Sequence, residues 1–281
     1  MAFRLANRHG RAVLTNEDGY WDVETHAGDG WSSDPMDVVG RFEELHAVAD
    51  ALPAAPDGAP AEVEFDAPIP RPSKIFGIGL NYRKHAEESG MELGEHPPTF
   101  AKFRNCLTGP HGDVIIFGPT TDWEAELVVV MGTTARDIAA EDAWKHVAGL
   151  TCGQDISERM TQFHAKPPHF DLGKSFDTFG PTGPAIVSLD QFDDPSNLAI
   201  TCDINGERQQ DARTDDLIFD VPTLIAYLSG ICTLEPGDLI FTGTPSGVGA
   251  AQGRFLQPGD VITTEVEGIG SMTNRCVARE S

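Results

Sequence analysis

Glu124-Ala-Glu-Leu-Val-Val-Val-Met131 opens with two carboxylates and closes in an unbroken apolar run. Its β-branched residues and freedom from glycine and proline make it a strand, polar where it begins and of buried type where it ends. The pattern on either side is also mainly β. Upstream, Lys74–Gly79 is a short apolar strand. Downstream, Ala199–Ile204 and Glu207–Gln210 flank Asn205-Gly206, the dipeptide best suited to a two-residue hairpin turn. Two Pro-Gly-Asp turns, at Pro236–Asp238 and Pro258–Asp260, each launch a further strand. Helix is sparse; the clearest case has Asp220 as N-cap, Pro222 in its first turn and the body Leu-Ile-Ala-Tyr-Leu-Ser-Gly-Ile. Strands do not alternate with long helices, so a doubly wound sheet is not favoured and the chain belongs to the α+β class, mainly β.

Before this region lie short strand-like pieces (Arg11–Leu14, Tyr20–Val23) and an amphipathic stretch at Val38–Ala51 that is expected to be helical. Pro, Ala and Gly dominate from Leu52 to Pro72; proline fixes φ and removes donors, so this stretch is expected to be a linker wrapped over a surface. Residues 1–70 are therefore expected to form a small N-terminal α/β domain with its linker, and residues 71–281 the main domain.

A formal net charge of −24 argues against a nucleic-acid binder, which needs clustered cations. It also means that an anionic substrate is repelled unless a metal or local cations invert the potential at its site. No run approaches the roughly 18 apolar residues of a membrane-spanning helix, and the N-terminus lacks a secretory apolar stretch. A cytoplasmic location without membrane or nucleic-acid partners is expected. The cysteines (Cys106, Cys152, Cys202, Cys232, Cys276) include no Cys-x-x-Cys pair, so neither a disulfide framework nor a zinc site is indicated.

Several residues can carry chemistry. Glu124 and Glu126 are two apart on a strand, so both carboxylates share a face beside an apolar run. Such a pair is costly unless a cation sits between them. An isolated Glu-x-Glu is more often a solvated strand end. Asp155, ending Leu-Thr-Cys-Gly-Gln-Asp, shifts the balance: three oxygen ligands without His or Cys suit a hard cation such as Mg2+ or Mn2+. His85 and Glu88 are three apart on one face of a helical turn, where the carboxylate can orient the imidazole as a base for water, or both can be an exposed helix start. Lys174 lies among apolar and turn residues and wants an anion, whether substrate or metal-ligand glutamate. Thr242–Gly249 is a glycine-rich loop whose backbone N–H groups can approach an anion. Gly77-Ile-Gly79 lacks the third glycine of a dinucleotide fingerprint, and Gly243–Gly249 lacks the end of a P-loop.

In order, GLNYRKHAEE, DWEAELVVVMG, GQDISER, GKSFDTFGPTGP, GDLIFTGTPSGVG and EGIGSMTN resemble the fumarylacetoacetate hydrolase superfamily over roughly residues 73–277. The resemblance implies a mixed β-sheet roll, a homodimer, and metal ligation by Glu124, Glu126 and Asp155 with Lys174 as companion cation. It implies that His85 and Glu88 form a dyad on a mobile lid segment, that Gln162 and Thr244 contact substrate, and that Arg83 can clamp a carboxylate; the glycines and prolines of residues 83–98 fit a hinged lid and an ordinary surface loop equally well. The chain departs from the family at Met160, where aspartate is common, and at Phe170, where tryptophan is frequent, which bears on substrate size and polarity.

The function implied is hydrolysis of a C–C bond in a small acylpyruvate or 1,3-dicarbonyl acid, a small anionic 2-oxo acid substrate in either case. His85 and Glu88 would activate water, while the metal and Lys174 would stabilise the enolate. The same site can instead serve an oxaloacetate decarboxylase, or an isomerase or dehydratase of an unsaturated 2-oxo acid. A non-catalytic binding protein on this fold would be expected to have lost a ligand carboxylate or Lys174, and all are present.

Overall fold

In a computed structural model, which describes residues 2–59, 65–89 and 94–280, Ala125–Met131 is an inner strand of a ten-stranded sheet, and all of it is buried. Ala125, Leu127, Val129 and Met131 face one apolar cluster, shared with Ile200, Ile262 and Leu224. Val128 and Val130 face a second, shared with Leu5, Leu14, Val39 and Leu45. Successive strand residues point to opposite faces, so a strand with a core on each side is written as a continuous apolar run.

From edge to edge the sheet runs Tyr20–Asp22, Arg11–Thr15, Arg4–Arg8, Gly180–Val187, Val147–Gln154, Ala125–Met131, Leu239–Phe241, Ile75–Ile78 and Thr99–Ala101, with Leu107–Thr108 beside Gly180–Val187. Ile75–Ile78 and Leu239–Phe241 are parallel, whereas Ala125–Met131 is antiparallel to both of its neighbours, so the sheet is mixed. A second sheet of five strands, Glu207–Arg213, Ala199–Ile204, Val261–Val266, Gly270–Ala278 and Val114–Ile116, shares the first core. The mainly β, mixed-sheet architecture expected from the sequence is therefore present, with a small β/α region at the N-terminus.

That N-terminal region is stitched into the large sheet: Leu5 pairs with Ile186 in an antiparallel ladder. The proline-rich stretch crosses over it, with Asp66 N–H donating to Asn7 O (3.0 Å) and the Trp21 indole donating to Pro53 O (2.9 Å). Residues 60–64 of that stretch fall outside the described residues. The helix expected over Val38–Ala51 is in fact two, Pro35–Val39 and Phe42–Ala51. Asp34 caps the first through Met36 N–H, and Gly40, a poor helix former, ends it; Arg41 then leaves the helical region (φ −115°, ψ 28°).

The local turn signals hold. Asn205 and Gly206 both have positive φ, as their hairpin turn requires, and the second strand continues past Gln210 to Arg213. Asp220 accepts Thr223 N–H at 2.9 Å to cap Val221–Ile231. All five cysteines are free, and four are buried. Among the described residues no helix is long and apolar enough to cross a membrane.

Gly153, opposite Glu126, is packed so closely that no side chain fits. A Cβ there would sit 2.4 Å from Val128 Cγ2 and 2.8 Å from the Phe241 ring. Gly153→Val is expected to lower stability by at least the 1–3 kcal/mol typical of core overpacking, read as a fall in the thermal midpoint. An unchanged midpoint would show that the carboxylate end of the ladder has slack.

Candidate active site

The ladder between Val147–Gln154 and Ala125–Met131 pairs Gly153 with Glu126 and Gln154 with Ala125. It continues one step further, where Asp155 N–H donates to Glu124 O at 2.8 Å. Directly opposed residues present their side chains on one face, so this register alone sets Asp155 beside Glu124, with Glu126 one step inward. One carboxylate oxygen from each lies within 4.8 Å of the others, and all three residues are buried. Glu124 is fixed further by Gln154, whose Oε1 accepts the Glu124 N–H at 2.9 Å.

Cations surround this cluster. Lys174 Nζ donates to Glu124 Oε2 (2.5 Å) and Asp155 Oδ2 (2.7 Å). Arg159 Nη2 lies 2.6 Å from Glu124 Oε1 and 2.7 Å from Asp122 Oδ2. Lys102 Nζ donates to Asp155 Oδ1 (2.6 Å) and to the carbonyls of Lys174 and Phe179. Glu126 forms no ion pair among the described residues and accepts instead the Gly243 N–H at 2.7 Å. Gly243 has φ +105°, and a Cβ there would lie 2.7 Å from Asn81 Cβ, so glycine is what lets this backbone reach the carboxylate.

The electrostatics divide the pair. Burial pushes the Glu126 carboxyl well above its ordinary range, and the charges of Asp155 and Glu124 push it further. Burial pushes Glu124 the same way, but Lys174 and Arg159 outweigh it and hold Glu124 below its ordinary range. Burial would likewise discharge Lys102, yet Asp155 keeps its pKa raised. The cluster is short of positive charge at Glu126, where a proton or a cation must sit. Three carboxylate donors with neither sulfur nor imidazole fit a hard divalent cation.

His85 and Glu88 reach the same cavity from the helix Arg83–Ser89, with His85 Nδ1 3.3 Å from Glu88 Oε2. The strand-to-helix corner before them is pinned by buried Asn81, whose amide donates to Phe219 O (2.9 Å) and Thr242 O (2.7 Å). Glu88 also accepts the Gly247 N–H at 3.3 Å, which ties the helix to the glycine-rich loop. Of residues 83–98, which fit a hinged lid or a surface loop alike, residues 90–93 lie outside the described residues.

The cavity measures about 480 Å³ and is also lined by Gln162, Thr244, Arg159 and Lys174. Gln162 Oε1 accepts from Arg159 (2.9 Å), which leaves its amide N–H groups free to donate. The Thr244 hydroxyl donates to Ala125 O (2.9 Å) and accepts from Gln210 (2.8 Å), so within the protein it already braces the metal-ligand strand. Arg83 is exposed and is not among the cavity-lining residues.

Three participants went unmarked by sequence reasoning. Lys102 had the signal used for Lys174, a lysine set in an apolar stretch (Phe-Ala-Lys-Phe). Arg159 and Asp122 stand inside the motifs GQDISER and DWEAELVVVMG, but their roles lie in each other: Asp122 is wholly buried, holds Arg159 and accepts the N–H groups of Gly249 (2.7 Å) and Ala250 (2.9 Å).

The family model described as "Fumarylacetoacetate (FAA) hydrolase C-terminal" matches residues 74–277. The oxaloacetate tautomerase FAHD2B, mitochondrial, of Bos taurus is 41% identical over 235 residues, covering 82% of this chain and 74% of that protein. A Mycobacterium smegmatis structure, provisionally described as an HpcE protein, superposes with TM-score 0.92 at 43% identity, covering 99% of this chain and 100% of its own. Maleylpyruvate hydrolase from Sphingobium sp. SYK-6, solved with manganese(II) and pyruvate, superposes with TM-score 0.83 at 31% identity, covering 99% and 100% respectively.

Glu126→Gln separates the cost of the charge cluster from its use. The Glu126 pKa is raised in the folded chain from 4.5, so its stabilisation is complete below that value and is lost as pH rises through the folded pKa. Near neutral pH the metal-free variant should therefore melt at or above the parent. It should also lose the rise in melting temperature that Mn2+ or Mg2+ produces, with metal affinity falling by at least the ~10–100-fold seen for outer-sphere changes. A parent whose melting temperature ignores both ions would refute the metal centre.

Proposed function

Because the chain belongs to the fumarylacetoacetate hydrolase family, we propose that it is a divalent-metal-dependent hydrolase cleaving the C–C bond of a small acylpyruvate or 1,3-dicarbonyl acid. The observation that carries this is the placing of the His85–Glu88 pair in one cavity with Glu124 and Lys174, which hold the charge cluster together. Held by Glu124, Glu126 and Asp155, a divalent cation would supply Lewis acidity to polarise the 2-oxo group and to stabilise the enolate charge.

The protein's own groups supply the rest. With Glu88 accepting at Nδ1, the His85 Nε2 is free to take a proton from water. The resulting hydroxide adds to the distal carbonyl, the C–C bond breaks, and its electron pair becomes the pyruvate enolate. The imidazolium then returns its proton to that carbon. Lys174 places positive charge beside the developing enolate. Gln162 offers its free amide N–H groups to the substrate, and Arg159 holds that amide in place.

A second outcome on the same site is keto–enol tautomerisation of a 2-oxo acid. It is favoured by the name of the Bos taurus relative and by its simpler demand, a single base and no water. Both outcomes share proton transfer by His85 and part only at the nucleophile.

The deciding assay follows the enol absorbance of an acylpyruvate and of oxaloacetate with metal-stripped protein, before and after Mg2+ or Mn2+ is added. Metal-dependent loss of the acylpyruvate signal with pyruvate release is expected. Loss of the oxaloacetate enol alone, without new products, would favour tautomerisation and overturn hydrolysis. His85→Gln should reduce turnover by the ~10²–10⁴-fold typical of a lost general base, while the metal-induced rise in melting temperature persists.

A further inference from the structure

Past Lys174, whose ammonium lies 5.2 Å from the Phe100 ring centroid, the cavity wall becomes aromatic. The Phe170 ring meets Phe100 and Phe163 edge to face, each with centroids 5.7 Å apart. The surrounding backbone is shaped to hold these rings. Phe100 is paired across the edge of the sheet with Gly77, where a Cβ would fall 2.3 Å from the ring. Ala101 N–H donates to Asp171 Oδ1 at 2.8 Å, tying the strand that carries Phe100 to the helix Phe170–Gly173. Gly173 in turn lets that helix approach the Gln162 backbone, since a Cβ there would lie 2.6 Å from Gln162 N. Phe163 is thereby set against Phe170.

Among the described residues the wall has no charge to offer a ligand. The cavity's two full cations are already shared, Lys174 between Glu124 and Asp155, and Arg159 between Glu124 and Asp122. His85 faces Glu88. In the buried cluster, Lys102, Lys174 and Arg159 meet the four carboxylates of Asp122, Glu124, Glu126 and Asp155. Adding one divalent cation leaves a single net positive charge, which one 2-oxo carboxylate neutralises. A second carboxylate at the far end would meet the Phe100, Phe163 and Phe170 rings, Glu88 and the neutral Gln162 amide, with no unshared cation among the described lining residues.

From this wall and this charge balance we infer that the substrate is a monocarboxylic 2-oxo acid with an apolar or aryl tail lying on Phe100, Phe170 and Phe163. The inference rests on the 2-oxo acid site proposed above. It sets this chain apart from relatives named for maleylpyruvate and oxaloacetate, both of which are dicarboxylic.

Two inert isosteres test it on the full-length protein with Mn2+: 2-oxoglutarate, and 5-methyl-2-oxohexanoate, in which an isopropyl group replaces the distal carboxylate. Calorimetric titration should show the apolar acid binding tighter by about ten-fold or more. Phe163 is 48% exposed, so it can be replaced without opening the core. Phe163→Ala should weaken only the apolar acid, and Phe163→Lys should strengthen the diacid. Equal or tighter binding of 2-oxoglutarate to the parent would overturn the apolar-tail inference and leave the 2-oxo acid site standing. If neither acid bound while Mn2+ still raised the melting temperature, the 2-oxo acid site itself would be overturned, and this inference with it.

Discussion

Three carboxylates buried within 4.8 Å of one another cannot all be ionised in a protein interior unless positive charge is brought to them, and much of this molecule is arranged around that requirement. Lys174 bridges Glu124 and Asp155, Lys102 holds the other oxygen of Asp155, and Arg159 holds the other oxygen of Glu124. Those cations are anchored in their turn, Arg159 by Asp122 and Lys102 by two main-chain carbonyls. Glu126 alone is left with an amide and no cation. The imbalance is local and points to one place, the face shared by the three ligand oxygens.

The backbone around this cluster is closely packed where side chains are missing. Gly153 lies opposite Glu126 where any Cβ would strike Val128 and Phe241, and Gly243 delivers its N–H from a backbone conformation open to glycine. The N-terminal strands contribute indirectly. By covering the face of the sheet that carries Val128 and Val130, they keep the base of the site dry, and a dry site strengthens every charge interaction within it. The −24 net charge of the chain is offset at one point, where Lys102, Lys174 and Arg159 gather around a carboxylate triad that fits a divalent cation.

What could be read from the chain in advance was mostly local. The central strand, the Asn205-Gly206 hairpin, the Pro-Gly-Asp turns and the Asp220 cap each depend on a handful of neighbouring residues whose backbone preferences agree with their surroundings. The single helix expected over Val38–Ala51 failed for a local reason too, because apolar spacing outweighed the break at Gly40. The ligand set was visible because Glu124 and Glu126 share a strand face and the ordered motifs named Asp155. Lys102, Asp122 and the aromatic wall were not visible. Lys102 and Asp155 are 53 residues apart, and Phe100 meets Phe170 only because Ala101 is tied to Asp171.

The sequence by itself determined the mainly β class, the turn positions, the family and the three carboxylates that could hold a cation. Each is written either in period-two patterning or in short motifs that carry their own stereochemistry. Only the tertiary structure decided that Asp155 stands opposite Glu124, that Thr244 braces a strand, that Arg83 is not among the cavity-lining residues and that the described far wall is uncharged. Those outcomes depend on strand register and on which distant segments pack together, and neither is encoded in the spacing of residues along a chain.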